Sequence, residues 1–319
     1  MAQNVIRNQN TIFLRVGNDW YRYDEQAKVG EGSMGVVYCG YHCQTNQRVA
    51  VKMVREQYAS VPSIRQRAYL EAQLQFRHNH LIGMLGYCEM APGRGPLWII
   101  SQLVQGITID LFLEDYNRRD FDQLCKICHI FTPVFDALEY LHEKKVIHLD
   151  IKPSNIMVEN GRNVRLMDLG IASAGDSSHQ NGHSIMGTPN YAAPEQFEKD
   201  GVLDEQTDVY QTAVTLYELL TKKNPYRREN LQDTITAHKN GSLPPSNLLT
   251  NEFNAVFSKA TSPNKESRYK TIREFREAIY AAMEVKPSGI KGSTVIIVIL
   301  VILFLIFIVN IILLLNGYY

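Results

Sequence analysis

Short stretches rich in β-branched and aromatic residues alternate with polar turns in the first hundred residues of the chain. Residues 21–28, 36–41, 48–54 and 98–104 each show this pattern, which is typical of β-strands. A single helical stretch, residues 63–77, lies between the third and fourth of them. The pattern therefore predicts a small lobe built on a sheet with one helix.

Beyond residue 106 the apolar positions recur at intervals of three and four, which is typical of a helix with one buried face. A long first helix is predicted from the apolar positions Phe121, Leu124, Cys128, Phe131, Phe135, Leu138 and Leu141. Pro133 lies inside this pattern, and because it lacks an N–H we expect it to kink the helix or split it in two. Further helices are predicted at residues 207–221, 251–259 and 271–283. The rest of the body is therefore expected to be a larger, mainly helical lobe.

Residues 295–315 form an apolar run that differs from all the preceding segments. At ~1.5 Å per residue, a helix of this length crosses a hydrocarbon layer of ~30 Å. A buried helix of a soluble domain is the alternative, but it would be shorter and amphipathic, whereas every face of this run is apolar. Lys286 and Lys291 precede the run, and this positive flank predicts that the preceding body is cytoplasmic. We expect a single-pass C-terminal membrane anchor with a linker at 286–294 and a short tail at 316–319.

Asn310 is the one polar residue within this run. In a bilayer, an asparagine side chain can hydrogen-bond across a pair of helices. The run could therefore join two copies of the chain, but Asn310 could equally lie near the far interface and simply be tolerated there. A homodimer is an open alternative for this segment.

The overall composition indicates a folded body and narrows the class of partner. The 319 residues are 45% hydrophobic and 21% charged, as in globular domains. Lysine and arginine together number 33, as do aspartate and glutamate, so no net basic field predicts a nucleic-acid partner. Residues 1–10 are polar, so no signal peptide is expected.

The five cysteines are scattered through apolar surroundings, and their odd number argues against a disulfide framework. We expect free thiols in a reducing compartment. Cys125 and Cys128 have the spacing of half a zinc or redox site, but no second pair of ligands has a matching spacing. Packing within a helix is the better interpretation of these two residues.

The clearest chemical pattern is the stretch HLDIKPSN at 148–155, followed by DLG beginning at Asp168. Phosphoryl transfer needs an oriented hydroxyl and divalent cations that neutralise the phosphates of the donor nucleotide. Asp150 can accept the hydroxyl proton, and Lys152 can offset charge on the transferring group. Asn155 and Asp168 offer the oxygen ligands that Mg²⁺ prefers. Any one of these residues alone would more often be a turn residue, but the four together indicate this chemistry.

These motifs resemble those of the eukaryotic-type (Hanks) Ser/Thr protein kinases, and the resemblance covers residues 19–285. It implies an α+β, bilobal fold, with a small antiparallel sheet lobe at about 19–103 and a larger, mainly helical lobe at about 104–285. Residues 1–18 are left as an N-terminal extension. The resemblance also implies ATP as the phosphoryl donor, Mg²⁺ with Mn²⁺ as an alternative metal, and protein substrates.

The sequence GEGSMGV resembles the glycine-rich loop of this family, in which missing side chains let backbone N–H groups approach phosphate oxygens. A dinucleotide-binding fold would need a helix after the glycines, whereas β-branched residues follow here and favour a hairpin over the phosphates. The loop residues assigned to the nucleotide are Gly30, Gly32, Gly35 and Val36.

The strand after this loop carries VAVK, ending at Lys52. The resemblance assigns Lys52 to the α and β phosphates and Ala50 to the wall of the adenine pocket. Aligning residues 99–104 with the hinge strand of the family makes Val104 the backbone partner of adenine and Ser101 the residue at the back of the pocket. A small side chain at this position predicts an open back pocket.

The carboxylate partner of Lys52 should come from the helix that follows, and Glu71 is the acidic residue best placed there. Family members usually have this acid nine residues before a histidine. Glu71 lies nine residues before His80 but only seven before His78. Glu56 is the alternative acid, although it is close to Lys52 in sequence.

The stretch GTPNYAAPE at 187–195 resembles the Ser/Thr branch of the family, in which Thr188 hydrogen-bonds near the catalytic aspartate and lysine. The same resemblance pairs Glu195 with Arg268. It also makes Asp208 an acceptor for the backbone N–H groups of the HL turn in the first motif.

At Leu149, most regulated relatives have an arginine that binds a phosphorylated activation loop through charge-assisted hydrogen bonds. Because this cation is missing, loop phosphorylation is not expected to be a strong on-switch, and local concentration at the membrane should matter more. Leu169 replaces the usual phenylalanine and keeps an apolar side chain beside Asp168. The loop serines concerned are Ser173, Ser177, Ser178 and Ser184.

Two other classes of protein share parts of these patterns. A membrane-tethered pseudokinase or nucleotide-binding scaffold would usually lack Lys52, Asp150 or Asp168, and all three are present. A small-molecule kinase of related fold would lack the peptide-positioning segment at 188–195, which is also present.

Overall fold

The computed structural model describes residues 4–31, 35–60, 62, 65–66, 69, 76–91, 93–168 and 188–286. The chain divides into one compact unit over residues 1–282 and a second over residues 283–319. The second unit is described only at 283–286, so the fold below is that of the first.

Seven antiparallel strands form the sheet of the small lobe, in the spatial order β1-β2-β3-β4-β5-β7-β6. All four predicted strands are present, as β3, β4, β5 and β7, although β7 ends at Gln102 rather than at residue 104. The strands are β1 Val5–Asn8, β2 Thr11–Val16, β3 Asp19–Glu31, β4 Gly35–His42, β5 Arg48–Val54, β6 Met84–Ala91 and β7 Arg94–Gln102.

Strands β1 and β2 lie in the segment that was predicted to be an N-terminal extension before the domain. Burial alternates along β2, and Ile12 and Leu14 are buried. Together with Val5 they belong to the same apolar core as Trp98 of β7. Gly17, at φ +60°, turns β2 into β3. The sheet therefore begins well before residue 19.

The helix predicted at 63–77 falls largely outside the described residues. Residues 62, 65, 66 and 69 are helical, whereas residues 76–78 are not, and a short helix α1 (Glu56–Ala59) precedes them. Arg65 ties this part of the chain to the sheet, since its guanidinium lies 2.5 Å from Glu89 Oε2 in β6 and donates to the Gly95 carbonyl in β7.

The large lobe is mainly helical and also contains a three-stranded sheet of order β10-β9-β8. The helices predicted after residue 200 are confirmed as α4, α6 and α7, with ends shifted by one or two residues, whereas α2 and α5 were not predicted. The elements are α2 Ile109–Phe112, α3 Phe121–Glu143, α4 Glu205–Thr221, α5 Leu231–Asn240, α6 Asn251–Ala260, α7 Ile272–Glu284, β8 Gly106–Thr108, β9 Ile156–Glu159 and β10 Asn163–Leu166.

Helix α3 is continuous over 23 residues, so the expected split at Pro133 does not occur. The side chains next to the proline on the inner face, Phe131, Val134 and Phe135, are fully buried. The free energy gained by burying these side chains outweighs the cost of the backbone hydrogen bond that Pro133 cannot make.

The prediction that the five cysteines are not joined in disulfides is confirmed. Cys125 and Cys128 lie on α3, and Cys128 is fully buried in its inner face. Within the part of the chain that the structure describes, no three or more His, Cys, Asp or Glu side chains cluster in a way that could hold a metal ion.

The run at 295–315, predicted to span a membrane, lies outside the described residues. Among the helices that the structure does describe, none combines the length and apolar character needed to cross a bilayer.

Candidate active site

The loop between α3 and β9 is fixed by Asp208, near the start of α4. The Asp208 carboxylate accepts hydrogen bonds from the backbone N–H groups of His148 and Leu149, at 2.8 and 2.9 Å. His142 Nε2 lies 2.7 Å from the same carboxylate, and Asp208 is fully buried. A buried carboxylate with three such neighbours fixes the turn firmly. The predicted contact between Asp208 and this turn is confirmed.

Leu149 has a left-handed backbone, with φ 62°, which is unfavourable for a branched residue. Its side chain is fully buried beside Ile147 and Leu203. The hydrogen bonds to Asp208 and this apolar packing together hold the turn, and Asp150 follows directly after it.

Asp150 is surrounded by donors from three parts of the site. Lys152 Nζ and Asn155 Nδ2 lie 2.8 and 2.9 Å from Asp150 Oδ2. The backbone N–H and the hydroxyl of Thr188 donate to Oδ1, at 3.0 and 2.9 Å, and Lys152 Nζ also donates to the Thr188 hydroxyl, at 2.5 Å. The placement of Thr188 beside the aspartate and lysine is confirmed. These donors orient the Asp150 carboxylate.

Asn155 and Asp168 are brought together by the backbone. Met167 donates its N–H to the Asn155 carbonyl at 2.8 Å, which places Asp168, the next residue, beside the short 3₁₀ turn that carries Asn155. Because the Asn155 amide nitrogen bonds to Asp150, the atom that Asn155 can offer to a metal is Oδ1. One amide oxygen and one carboxylate, completed by phosphate oxygens and water, fit the coordination of Mg²⁺ or Mn²⁺.

Lys52 and Asp168 face each other across the two lobes, with Nζ 3.1 Å from Oδ1. The ammonium of Lys52 holds the pKa of Asp168 below its ordinary value, so the carboxylate is charged at neutral pH. Asp168 also has a positive φ of 44°, a conformation that aspartate tolerates better than most residues. Its side chain remains 47% exposed, so a ligand can reach it.

The glycine-rich sequence forms a β-hairpin, as predicted, with Gly30 opposite Val37 and Glu31 opposite Val36 in β3 and β4. Gly32 lies outside the described residues. At Gly35, a Cβ atom would come within 2.3 Å of the Met53 carbonyl oxygen in β5. Gly35 therefore allows β4 and β5 to pack closely. This role is additional to the predicted contact with the phosphates.

The predicted adenine pocket lies along β5 and β7. Ala50 is directly opposite Ser101, and Lys52 is opposite Ile99, in the antiparallel ladder between these strands. Val104 follows the end of β7 and is partly buried. Ala50 and Ser101 are thus neighbours, in agreement with the alignment of the hinge.

Replacing Ser101 with methionine should narrow the back of this pocket. We expect an ATP-competitive inhibitor with a bulky group directed past residue 101 to lose affinity by about tenfold or more, because overpacking costs roughly 1–3 kcal/mol. ATP should lose no more than about threefold. Competition titrations on both forms test this, and an unchanged inhibitor affinity would show that the hinge is misaligned.

Glu71, the expected partner of Lys52, lies outside the described residues, and its assignment stays a prediction. The alternative Glu56 lies in the first turn of α1 and is exposed.

The peptide-positioning segment is anchored by the predicted pair of Glu195 and Arg268. Arg268 Nη1 and Nη2 donate to the two Glu195 oxygens at 2.8 and 3.0 Å, and both residues are buried. Arg268 Nε also donates to the Ser262 carbonyl at 2.7 Å. The predicted pair is confirmed as a buried, bidentate one.

Two glutamines that were not predicted, Gln196 and Gln211, connect this segment to the loop between α3 and β9 that carries Asp150. Gln211 accepts from the Ile151 N–H and donates to the Leu149 carbonyl, both at 2.9 Å, and donates to Gln196 Oε1 at 2.7 Å. Gln211 is fully buried on α4, three residues after Asp208. A polar residue at helical spacing from Asp208 within a buried helix was the available signal.

Comparison with known proteins agrees with this geometry. The family described as protein kinase domain matches residues 23–280. The serine/threonine-protein kinase Pkn1 of Myxococcus xanthus is 30% identical over 268 residues, which cover 80% of this chain and 37% of Pkn1. The serine/threonine-protein kinase PknB of Mycolicibacterium smegmatis is 32% identical over 270 residues, which cover 80% of this chain and 42% of PknB. The chain thus spans about two fifths of the length of these curated relatives.

Among solved structures, a double mutant of the PknI kinase domain from Mycobacterium tuberculosis superposes with a TM-score of 0.62. It covers 89% of this chain and 99% of that domain at 22% identity, which supports the fold. Together with the sequence match over residues 23–280, this shows that the chain belongs to the protein kinase family.

Proposed function

We propose that the protein transfers the γ-phosphoryl group of ATP to serine and threonine hydroxyls of proteins. The observation that carries this proposal is the position of Asp150, whose carboxylate lies 2.8 Å from Lys152 Nζ and 2.9 Å from Asn155 Nδ2. The names of the relatives support the Ser/Thr preference, as does the contact of Thr188 with both Asp150 and Lys152.

In this proposal Asp150 is the group that orients the substrate hydroxyl and takes its proton as the bond to phosphorus forms. Lys152 offsets the charge that develops on the transferring group, and Lys52 binds the α and β phosphates. Asn155 and Asp168 would hold a Mg²⁺ or Mn²⁺ ion, which would supply positive charge to the phosphate oxygens. The residues that cover the nucleotide are Gly30, Gly32, Gly35, Val36, Ala50 and Val104.

The first test of this function is transfer of radiolabel from Mg-ATP to a generic protein acceptor by the full chain, followed by phosphoamino-acid analysis. Phosphoserine and phosphothreonine are expected, with no phosphotyrosine. Tight nucleotide binding without transfer would favour the alternative of a membrane-tethered pseudokinase. Transfer only to small molecules would favour a small-molecule kinase, although the segment from Thr188 to Glu195 argues against it.

The buried position of Leu149 supports control that does not depend on activation-loop phosphorylation. This side chain is fully enclosed, so the catalytic loop has no cation here to bind a phosphate. Replacing Ser173, Ser177, Ser178 and Ser184 together with alanine should change kcat by less than about threefold, whereas loss of one charge-assisted phosphate contact elsewhere costs about tenfold or more. A severe loss of transfer in the fourfold variant would refute this mode of control.

We also propose that residues 295–315 anchor the protein in a membrane, with the kinase domain on the cytoplasmic side. The variant V301R/L305R should move the full chain from the membrane fraction to the soluble fraction, because each arginine at the centre of a span costs roughly 2.5–3.5 kcal/mol. The variant V301A/L305A is the control and should remain in the membrane fraction. Equal fractionation of both variants with soluble proteins would rule out the anchor.

A further inference from the structure

His238, on α5, is a buried polar side chain that the proposed chemistry does not use. It is fully buried, and its Nδ1 lies 2.7 Å from the hydroxyl of Tyr210 on α4. Within the described part of the chain, its Nε2 has no hydrogen-bond partner. A buried polar atom without a partner is unfavourable and therefore calls for an explanation.

The ring of His238 is enclosed by other aromatic side chains. Its centroid lies 4.0 Å from that of Tyr226 and 5.7 Å from those of Tyr210 and Phe197. Burial lowers the pKa of His238 to about 4, and the nearby cation of Arg228 also lowers it. The ring is therefore neutral at pH 7.

The backbone carbonyls of Pro189 and Asn190 oppose this shift as hydrogen-bond acceptors, so they lie close to the ring of His238, although neither meets the geometry of a hydrogen bond to Nε2. Both carbonyls are acceptors, which places the ring proton on Nε2 and leaves Nδ1 to accept from the Tyr210 hydroxyl. The Nε2–H group is therefore a donor directed at the peptide-positioning segment, without a completed hydrogen bond.

The rest of this segment is already held by other side chains. Asn224 Nδ2 donates to the Asn190 carbonyl at 3.1 Å, and the Tyr191 hydroxyl donates to Glu218 at 2.7 Å. The Pro189 carbonyl accepts from the Ala192 N–H at 3.3 Å and keeps a second lone pair. Pro189 is thus the acceptor that a small movement of the segment could bring to His238.

We propose that His238 is a positioning residue for the protein substrate, and that its Nε2–H donates to the Pro189 carbonyl when a peptide lies against residues 188–191. Substrate binding then completes a hydrogen bond that the free protein lacks, and part of the binding free energy fixes the segment in place. This inference rests on the proposed function, because it requires a protein substrate.

Two variants of His238 separate its two ring nitrogens. In H238Q the amide nitrogen reaches the place of Nε2, and in H238N the amide reaches only the place of Nδ1. We expect H238N to raise KM for the protein substrate by about tenfold, as for the loss of one hydrogen bond, with kcat and KM for ATP within about twofold of the wild type. H238Q should raise KM for the protein substrate by no more than about threefold.

The inference is overturned if both variants have the wild-type KM for the protein substrate. It is also overturned if kcat, KM for ATP and the melting temperature all change together, because a purely structural residue would behave in that way. A pH series gives an independent check on the neutral ring. The wild type should lose stability relative to H238Q as the pH falls from 6.5 towards 4. Between these pH values, His238 binds a proton in the unfolded chain but not in the folded protein, so acid favours unfolding. Parallel stability curves would contradict that assignment.

Hydrogen exchange distinguishes a failure of this inference from a failure of the proposed function. Exchange over residues 188–194 should be faster in H238N than in H238Q, whether or not the chain is active. If the wild type transfers no phosphate but this difference in exchange is seen, the proposed function is refuted and the contact between His238 and Pro189 is supported. Equal exchange rates in the two variants would refute the contact.

Discussion

Replacing Asp150 with asparagine is expected to lower kcat for phosphoryl transfer by about 10³-fold, within the range of 10²–10⁴ that general-base catalysis contributes. The amide cannot take the hydroxyl proton. It also meets donors on both sides, because Lys152 and Asn155 donate to one carboxylate oxygen and Thr188 to the other. Either orientation of the amide therefore sets N–H against a donor.

Because of this conflict, Asp150→Ala should be measured in parallel, since it removes the charge without adding a donor. Both variants should keep an affinity for Mg-ATP within about threefold of the wild type, because Asp150 acts on the hydroxyl rather than on the nucleotide. Asp110→Asn, an exposed acid on α2, is the control and should be fully active. Transfer at the wild-type rate by either Asp150 variant would show that Asp150 is not the general base.

The largest expected effect on stability comes from Arg268→Met. It leaves the buried carboxylate of Glu195 without its bidentate partner, and truncating one side of a buried ion pair costs roughly 3–5 kcal/mol. For a domain of this size, the melting temperature should fall by roughly 10 °C. Arg273→Met is the control, because Arg273 is 61% exposed and its pair with Glu139 should contribute less than about 1 kcal/mol.

The charge of Glu195 also predicts that the stability of the fold depends on pH. Burial raises the pKa of Glu195, but the hydrogen bonds and charge of Arg268 outweigh it, and the pKa lies below its ordinary value. The pair therefore stabilises the fold above the unfolded pKa, and this contribution is lost as the pH falls through the folded pKa. In Arg268→Met this acid sensitivity should disappear. Equal melting temperatures of Arg268→Met and Arg273→Met at pH 7 would show that the buried pair of Glu195 and Arg268 does not stabilise the fold more than an exposed pair does.

The proximity of Asp150, Lys152 and Asn155 could be predicted because the three residues lie within six positions of one another in the sequence. The contacts of Asp208 and of Glu195 with Arg268 span long stretches of sequence, and only the resemblance to the kinase family made them predictable.

Features that depend on tertiary packing were missed or misjudged. Local rules predict a kink or a break at Pro133, but the buried side chains around it keep α3 continuous. Strand β2 was not predicted, because the resemblance to the kinase family begins after it and its three consecutive apolar residues, Ile12 to Leu14, hide the alternation of burial along the strand. The position of His238 Nε2, buried without a hydrogen-bond partner, could not be predicted from the sequence. It depends on how α4, α5 and the segment after Thr188 pack together.

In the proposed mechanism, Asp150, Lys152, Asn155 and Asp168 converge on the terminal phosphate of a metal-bound nucleotide. A crystal structure with Mn²⁺ and a non-hydrolysable ATP analogue would show this arrangement, because Mn²⁺ is located by its anomalous scattering. We expect a Mn²⁺ ion about 2.1–2.2 Å from Asn155 Oδ1 and from an Asp168 oxygen, with the terminal phosphate beside Lys152. A nucleotide bound elsewhere, or a metal ion without either ligand, would refute this arrangement.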